Sequence, residues 1–368
     1  MRICHFADNH LGAGTGRRED DLLDSFARTI DRIIELKPDL VVNAGDLFHM
    51  VRPPNRVIAF ASEHLLKLGR DAGIPTVIIS GNHDAPKQPQ IGAVLSIFQK
   101  YDNLRVIYKS QYERIKFGDC SVSAVPHCLT PEILRLELEK IKPDRSARYN
   151  LLLAHGVVAG IQEFRMADLS EQEISSDYFR GFDYVALGHY HNYTCVQPGV
   201  YYCGSTERLS QAEAGYAKGF IEIDLAEQDL SRRVIFHEIA TRVMVDLTPV
   251  SGSGRAVEEI VADLENRVRN EKPGDKIIRL RVTDIPEETY RALPFDRIAR
   301  LKQEAFSLDI RFDKKPPPEQ AAAADVGLGR LDTAFDKFLS STAIEGLDRE
   351  KLRDLALDFL RRAEENED

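Results

Sequence analysis

Five short segments of this 368-residue chain carry side chains that bind metal ions. They read Asp8-Asn9-His10, Gly45-Asp46-Leu47-Phe48-His49, Gly81-Asn82-His83-Asp84, His155-Gly156 and Gly188-His189-Tyr190-His191. Together they offer the carboxylates of Asp8 and Asp46, the amide of Asn82 and the imidazoles of His10, His155, His189 and His191, with His49 and His83 alongside. No thiolate is among them. Carboxylate, amide oxygen and imidazole suit Mn²⁺ first, with Zn²⁺ or Fe²⁺ next, and argue against a pure Ca²⁺ site. Such a set is too large for one ion and suits two, so one aspartate must bridge. Two ions about 3.5–4 Å apart clamp a phosphoryl oxygen and acidify a bound water. That is equipment for hydrolysing a phosphate ester. Each segment alone is weak: GNHD also reads as a capped turn, and a strand-end His as a surface residue. The weight lies in all of them occurring in order, each after an apolar strand.

Those strands are Arg2–Ala7, Asp39–Asn43, Pro75–Ile79, Leu104–Tyr108, Tyr149–Ala154 and Tyr184–Leu187, short runs rich in β-branched residues and Leu. That composition predicts strands buried on both faces. Helix-like stretches lie between them at Glu19–Leu36, Asn55–Arg70 and Pro89–Tyr101. Alternating β and α implies parallel strands with crossover helices, and ligands then gather beyond the carboxyl ends of the strands. Glycines 45, 81, 156 and 188 allow a sharp turn after each strand. From Tyr193 to Glu238 short strands without helices predict an antiparallel completion of a second sheet.

The strand Arg242–Leu247, the Ser251-Gly252-Ser253-Gly254 turn, a helix with apolar spacing at Ala256, Val257, Ile260, Val261, Leu264 and Val268, the strand Lys276–Val282, the helix Phe295–Glu304 and the strand Leu308–Phe312 make a small βαβαβ unit. The expected division is 1–240, 241–313, a proline- and alanine-rich linker at 314–328, and 329–368. The last segment reads as two amphipathic helices, Leu331–Ser341 and Arg349–Ala363. They pack either on their own chain or on a partner.

Hydrophobic residues make up 43% of the chain and charged residues 29%, which excludes a disordered or fibrous protein. With 49 Lys+Arg against 59 Asp+Glu the net charge is −10, which excludes a nonspecific nucleic-acid coat. No apolar run approaches a membrane span, and the start lacks a signal-peptide pattern. The cysteines at 4, 120, 128, 195 and 203 form no CxxC pair and suit reduced thiols, hence a cytoplasmic location, nucleoid-associated in a prokaryote.

With ADNHLG (7–12), GDLFH (45–49), GNHD (81–84), AHG (154–156), GHYH (188–191) and GSTER (204–208), the chain resembles the calcineurin-like metallophosphoesterases. Within them it is similar to the DNA-repair nuclease branch of SbcD and the meiotic-recombination-eleven nuclease. The resemblance covers the first 240 residues strongly, and the remainder by arrangement only. It implies a two-sheet α/β sandwich flanked by helices, with a small α+β cap domain that binds DNA and a C-terminal helix pair. It also implies two Mn²⁺, with Zn²⁺, Fe²⁺ or Mg²⁺ as alternatives. Asp8, His10, Asp46 and His191 match the ligands of one ion. Asp46, Asn82, His155 and His189 match those of the other, with Asp46 bridging. His83 matches the residue that protonates the leaving oxygen, a role suited to a pKa near neutrality, and Asp84 is placed to orient its ring. His49 matches an additional phosphate contact; it reads equally as a packing His. Asn9, polar in the middle of the first motif, places an extra amide near the ions.

For DNA contacts the expected residues are Arg208, Ser205, Arg17 and Arg52, with Arg18, Arg56 and Arg165 as further cations. The apolar arc Ile91, Val94, Leu95, Ile97, Phe98 and Tyr101 reads as core or, by the resemblance, as a homodimer interface shared with the Asn55–Leu68 helix. The implied function is a metal-dependent DNA exonuclease and endonuclease, the nuclease subunit of a break-repair complex with an SMC-like coiled-coil ATPase of the SbcC type. The rival is a small-molecule phosphodiesterase or phosphatase with the same ligands. It would need neither His49 nor the added domain and helix pair. A non-enzymatic scaffold ranks last, because each ligand position is intact.

Overall fold

The computed structural model describes residues 1–14, 16–86, 92–161, 171–315, 335, 339 and 350–355. The chain begins β1 (Arg2–Phe6), α1 (Arg17–Leu36), β2 (Leu40–Asn43), α2 (Asn55–Leu66), β3 (Thr76–Ile79) and β4 (Leu104–Ile107). It continues with β5 (Glu113–Phe117), β6 (Cys120–Val125), α3 (Pro131–Leu138), β7 (Tyr149–His155), the short pair β8 (Val157–Val158) and β9 (Glu173–Ile174), and β10 (Tyr184–Gly188). Next come β11 (Thr194–Gln197), β12 (Val200–Tyr202), β13 (Gly219–Asp224), the single turn α4 (Leu230–Arg233), β14 (Val234–Glu238), β15 (Met244–Asp246) and β16 (Val250–Ser251). Last are α5 (Val257–Asn270), β17 (Ile277–Ile285), α6 (Glu287–Arg291), α7 (Phe295–Gln303) and β18 (Ser307–Lys314).

Two compact units emerge. The first is Met1–Thr248 with Glu265–Leu280 and Asp296–Asp309; the second is Pro249–Leu264 with Arg281–Phe295 and Ile310–Asp368. Every candidate ligand falls in the first. That unit contains two six-stranded sheets, ordered β14-β13-β1-β2-β3-β4 and β11-β12-β10-β7-β6-β5. β1, β2, β3 and β4 are parallel neighbours, as are β6, β7 and β10. Their side chains explain the sandwich. Odd and even positions of β2, β3, β6 and β10 are both buried and mostly apolar, so each sheet buries two faces. Ile3, Val42, Val77 and Ile79 meet Leu151, Leu153 and Tyr184 between the sheets. Phe6, Val41 and Ile78 face Phe26, Ile30 and Ile33 of α1 and Val57, Ala61 and Leu65 of α2. Leu152, Val185 and Tyr202 pack with Leu134 and Leu138 of α3. Each such large side chain contributes about 1.5–3 kcal/mol by leaving water.

In the first unit β15 also pairs parallel with β17 through Met244 and Ile277. In the second, Val250 and Ser251 of β16 pair with Val282 and Thr283, and Arg255 lies 3.0 Å from Asp263.

Three expectations change. The strands after Tyr193 split between the sheets: β11 and β12 extend the second, while β13 and β14 join the first beside β1. Moreover, β12 runs parallel to β10, not antiparallel. The β5–β6 hairpin was not expected, because Cys120–Val125 is built of small residues and Glu113–Phe117 is a half-exposed charged edge. Val94–Lys100 is a 3₁₀ helix with Val94, Leu95 and Phe98 in the core and Ile97 exposed. The rest of the expected Pro89–Tyr101 helix is partly beyond the described residues, as are Arg165, most of the 314–328 linker and most of the C-terminal helix pair. Residues 350–355 are helical.

Candidate metal centre

The strands deliver their ligand residues to one edge. Asp8 N–H donates to the Gly45 carbonyl at 3.0 Å and His10 N–H to the Asp46 carbonyl at 3.0 Å, locking the β1 and β2 loops together. His155 and Gly188 are register partners in the second sheet. The His155 ring crosses to the first sheet, its Nδ1 lying 2.8 Å from the Ala44 carbonyl. That approach explains two glycines. A Cβ on Gly45, whose φ is +100°, would sit 2.5 Å from His155 Nδ1. A Cβ on Gly188 would sit 2.2 Å from the Ala44 oxygen, so Gly188 serves close packing and not a turn. Asp8 (φ 51°), His10 (46°), Asp46 (52°) and His189 (103°) all occupy the left-handed side of backbone space. A non-glycine residue there costs of order 1–3 kcal/mol, and such strain concentrates at functional sites.

The side chains form two adjoining clusters. In one, His10 Nε2 and His191 Nε2 are 3.1 Å apart, and Asp8, His10 and His191 hold ligand atoms within 4.8 Å of one another. In the other, Asn82 Oδ1 lies 2.8 Å from His155 Nε2 and 3.1 Å from His189 Nδ1. Asp46 stands between them: its Oδ2 is 3.6 Å from His10 Nε2 and 3.5 Å from His155 Nε2. Asp8, Asp46 and His155 also fall within 4.8 Å of one another. The Asp8 oxygens accept from His189 N–H at 3.0 and 3.1 Å.

Burial governs the protonation of these groups. Asp8, His10, Asp46 and His155 are at most 1% exposed. Burial, then the Asp46 charge, pushes the Asp8 carboxyl well above its ordinary range. The same causes raise Asp84. Burial, then neighbouring imidazoles, lowers His10 and His155 well below the ordinary histidine value. Burial also lowers His49. These imidazoles are therefore neutral and can donate lone pairs. The partners of the outer nitrogens assign the tautomers: His155 Nδ1–H to Ala44 and His191 Nδ1–H to Glu213 turn both Nε2 atoms inward. Inward lone pairs around a shared carboxylate oxygen fit divalent cations, and the mixed O/N donor set suits Mn²⁺, Fe²⁺ or Zn²⁺.

His83 and His49 flank this centre. Their rings stack with centroids 5.0 Å apart, and His83 is edge-on to His10 at 4.7 Å. His83 N–H donates to Asp46 Oδ1 at 2.9 Å, and its Nδ1 lies 3.1 Å from the His49 carbonyl. His49 Nδ1 is 3.3 Å from His10 Nδ1.

Four sequence-derived roles are revised by geometry. The Asp84 carboxylate accepts from the backbone N–H groups of Gly81 at 2.8 Å and Phe48 at 3.3 Å, so it ties two loops, while the His49 carbonyl steadies the His83 ring. Asn9 turns from the centre: it donates to Thr206 Oγ1 at 3.1 Å and accepts from Asn43 at 3.0 Å. Ser205 is fully buried and its hydroxyl donates to the Glu207 carbonyl at 2.8 Å, out of reach of a DNA backbone. Arg208 donates to Thr241 Oγ1 at 2.6 Å and to the carbonyls of Arg242 at 3.1 Å and Tyr216 at 2.9 Å, so protein acceptors occupy its guanidinium. Arg17 and Arg52 are exposed, and the Arg17 guanidinium lies 4.1 Å above the Phe306 ring. Arg18 and Arg56 are tied to acidic residues, Arg18 to Asp21 and Glu207 and Arg56 to Glu19 and Asp20.

Glu213 and Lys218 were missed. Burial opposes the Glu213 charge, but the hydrogen bond from His191 and the Lys218 ammonium beside it outweigh burial and hold the carboxyl below its ordinary range. Glu213 reads as the acidic end of a Ser210-x-x-Glu213 capping box and Lys218 as a lysine just before an apolar strand; both are ordinary signals that do not point to His191.

The chain also matches curated proteins in sequence. The chain is 33% identical over 245 residues to the DNA double-strand break repair protein Mre11 of Methanococcus maripaludis, covering 61% of this chain and 63% of that protein. It is 27% identical to the Mre11 protein of Sulfolobus acidocaldarius (74% and 72% covered) and 30% identical to that of Sulfurisphaera tokodaii (59% and 57%). The match thus spans under two thirds of the length of the first and third of these proteins. A solved dimetal phosphatase from Danio rerio covers 60% of the chain at 10% identity and a TM-score of 0.35, too distant to support an argument. The calcineurin-like phosphoesterase profile matches residues 1–193. That stretch is more than half of the chain and carries all seven candidate ligands, and on it the protein belongs to the calcineurin-like phosphoesterase family.

Proposed function

We propose that this protein is a metal-dependent DNA nuclease that hydrolyses phosphodiester bonds at a two-ion centre. The observation that carries the reading is Asp46 Oδ2 between His10 and His155, with His83 hydrogen-bonded through its N–H to the same carboxylate. Asp8, His10, Asp46 and His191 would hold one ion and Asp46, Asn82, His155 and His189 the other, with Mn²⁺ as the expected metal. When bound, the ions supply Lewis acidity toward the phosphoryl oxygens and activate a water. The chain's own residues do the remainder. In its doubly protonated form His83 donates Nδ1–H to the His49 carbonyl and passes its Nε2 proton to the leaving sugar oxygen, ending as the neutral Nδ1–H tautomer. His49, stacked on His83, contacts the phosphate. Asp84 keeps both loops in register through its backbone bonds. Arg17 and Arg52 meet flanking phosphates, where the ions locally offset the acidic net charge.

The similarity to Mre11 proteins of break repair supports DNA as the substrate. By the same reading, residues 241–313 cap the DNA, residues 329–368 dock on the coiled-coil base of an SMC-like ATPase, and two chains pair through α2 and the Val94–Lys100 helix. The test is Mn²⁺-dependent cleavage of linear duplex DNA measured beside hydrolysis of bis(p-nitrophenyl) phosphate. DNA cleavage that disappears with chelator supports the proposal. Hydrolysis of the chromogenic ester with duplex untouched would indicate a small-molecule phosphodiesterase.

A further inference from the structure

We propose that Glu213 and Lys218 are positioning residues for one of the two ion sites, acting through His191; this rests on the reading of His191 as a ligand. The ring and the backbone of His191 are held from two sides. Glu213 Oε1 lies 3.3 Å from Nδ1, and Lys218 Nζ donates to the His191 carbonyl at 2.7 Å. Lys218 Nζ also binds Glu213 Oε2 at 2.6 Å and reaches Asn192 Oδ1 at 3.4 Å, so all three ammonium protons have acceptors. The Glu213 carboxylate is itself fixed. Ser210 N–H and Ser210 Oγ donate to Oε1 at 3.1 and 3.0 Å, and Leu209 N–H donates to Oε2 at 3.3 Å. The Lys218 side chain is 0% exposed and the Glu213 side chain 4%.

Removing an ammonium and a carboxylate from water is costly, and a hydrophobic pair of similar size would often fold as well or better. Simple stability is thus a poor reason for this pair. Its geometry supplies another: a carboxylate on the outer nitrogen of a ligand histidine fixes tautomer and ring orientation and raises ligand basicity, and loss of such a partner costs about 10–100-fold in metal affinity. Lys218 in turn fixes the carboxylate and the ligand's own backbone. On the other side, His155 relies on a backbone carbonyl for the same job. The two ion sites should therefore respond differently to the same substitution.

The experiment is Mn²⁺ titration of the full chain by calorimetry, with electron paramagnetic resonance to separate an exchange-coupled ion pair from an isolated ion. Glu213→Gln should weaken one site about 10–100-fold and leave the other near wild type. The retained site shows that the fold is intact. In a His191→Ala background, Glu213→Gln should cause no further loss, because its route to the ion is already gone. Two sites of unchanged affinity in Glu213→Gln would overturn the proposal. So would a full additional loss in the His191→Ala background, or equal weakening of both sites in Glu213→Gln and in the charge-balanced Glu213→Gln/Lys218→Met variant. A wild-type chain that binds no Mn²⁺ would instead refute the two-ion reading itself.

Discussion

His155 and His191 stand in adjoining clusters and are steadied by different means. His155 ends a central strand, pairs in register with Gly188, and rests its ring on the Ala44 carbonyl of the opposite sheet. His191 lies past the end of β10, and its orientation comes from Glu213 and Lys218, more than twenty positions later in the chain. The first arrangement is inherited from the sandwich: any chain that packs these sheets with glycine at 45 and 188 places His155 there. The second is an added buried network, which one side-chain change can break without disturbing a sheet. Asp46, between the two clusters, is where the difference meets.

Substitution of Asp46 should have the largest effect and ignore the difference. Asp46→Ala removes the oxygen shared by both clusters, so metal content by mass spectrometry should fall to near zero and DNA cleavage to background. Asp8→Ala should leave about one ion, given the bridging role assigned to Asp46. Because Asp8 also groups with Asp46 and His155, loss of both ions in Asp8→Ala would shift the bridge to Asp8.

His83→Gln separates chemistry from metal holding. Loss of a general acid typically costs about 10²–10⁴-fold, so kcat on duplex DNA should fall by that range with both ions retained. Loss of metal in this variant would make His83 part of the centre's structure.

What was legible in the sequence follows the same division. The five candidate ligand segments, the parallel strands and the two main helices of the first unit were readable because each is local: an apolar run, then a metal-binding residue type, in four of the five segments with a glycine beside it. The supporting network was not, because Ser205, Arg208, Glu213 and Lys218 owe their meaning to contacts made only after folding. Arg208 shows the difference most clearly. A cation in a loop near His191 reads as a phosphate contact, and its terminal nitrogens also bond to Thr241, Arg242 and Tyr216, which the sequence does not announce. The placement of β13 and β14 was equally hidden, since a strand's own residues do not state which of two sheets will pair with it.

The smallest effects concern these cations. Arg208→Ala should lower stability by about 0.5–1.5 kcal/mol, the net worth of a partly exposed hydrogen bond, seen as a lower thermal midpoint with an unchanged salt dependence of DNA binding. Arg52→Ala should leave the midpoint near wild type and reduce the slope of log affinity against log salt by about 0.9 on duplex DNA. The reverse pattern would restore Arg208 to the DNA surface.

Two ions held by seven side chains around one shared aspartate can be counted directly. Purified wild-type chain is loaded with Mn²⁺, freed of excess metal and measured for manganese per chain, and the same sample is assayed on linear duplex DNA. Two ions per chain are expected, with cleavage that vanishes with chelator and returns on adding Mn²⁺. One ion or none, or cleavage that persists in chelator, would contradict it.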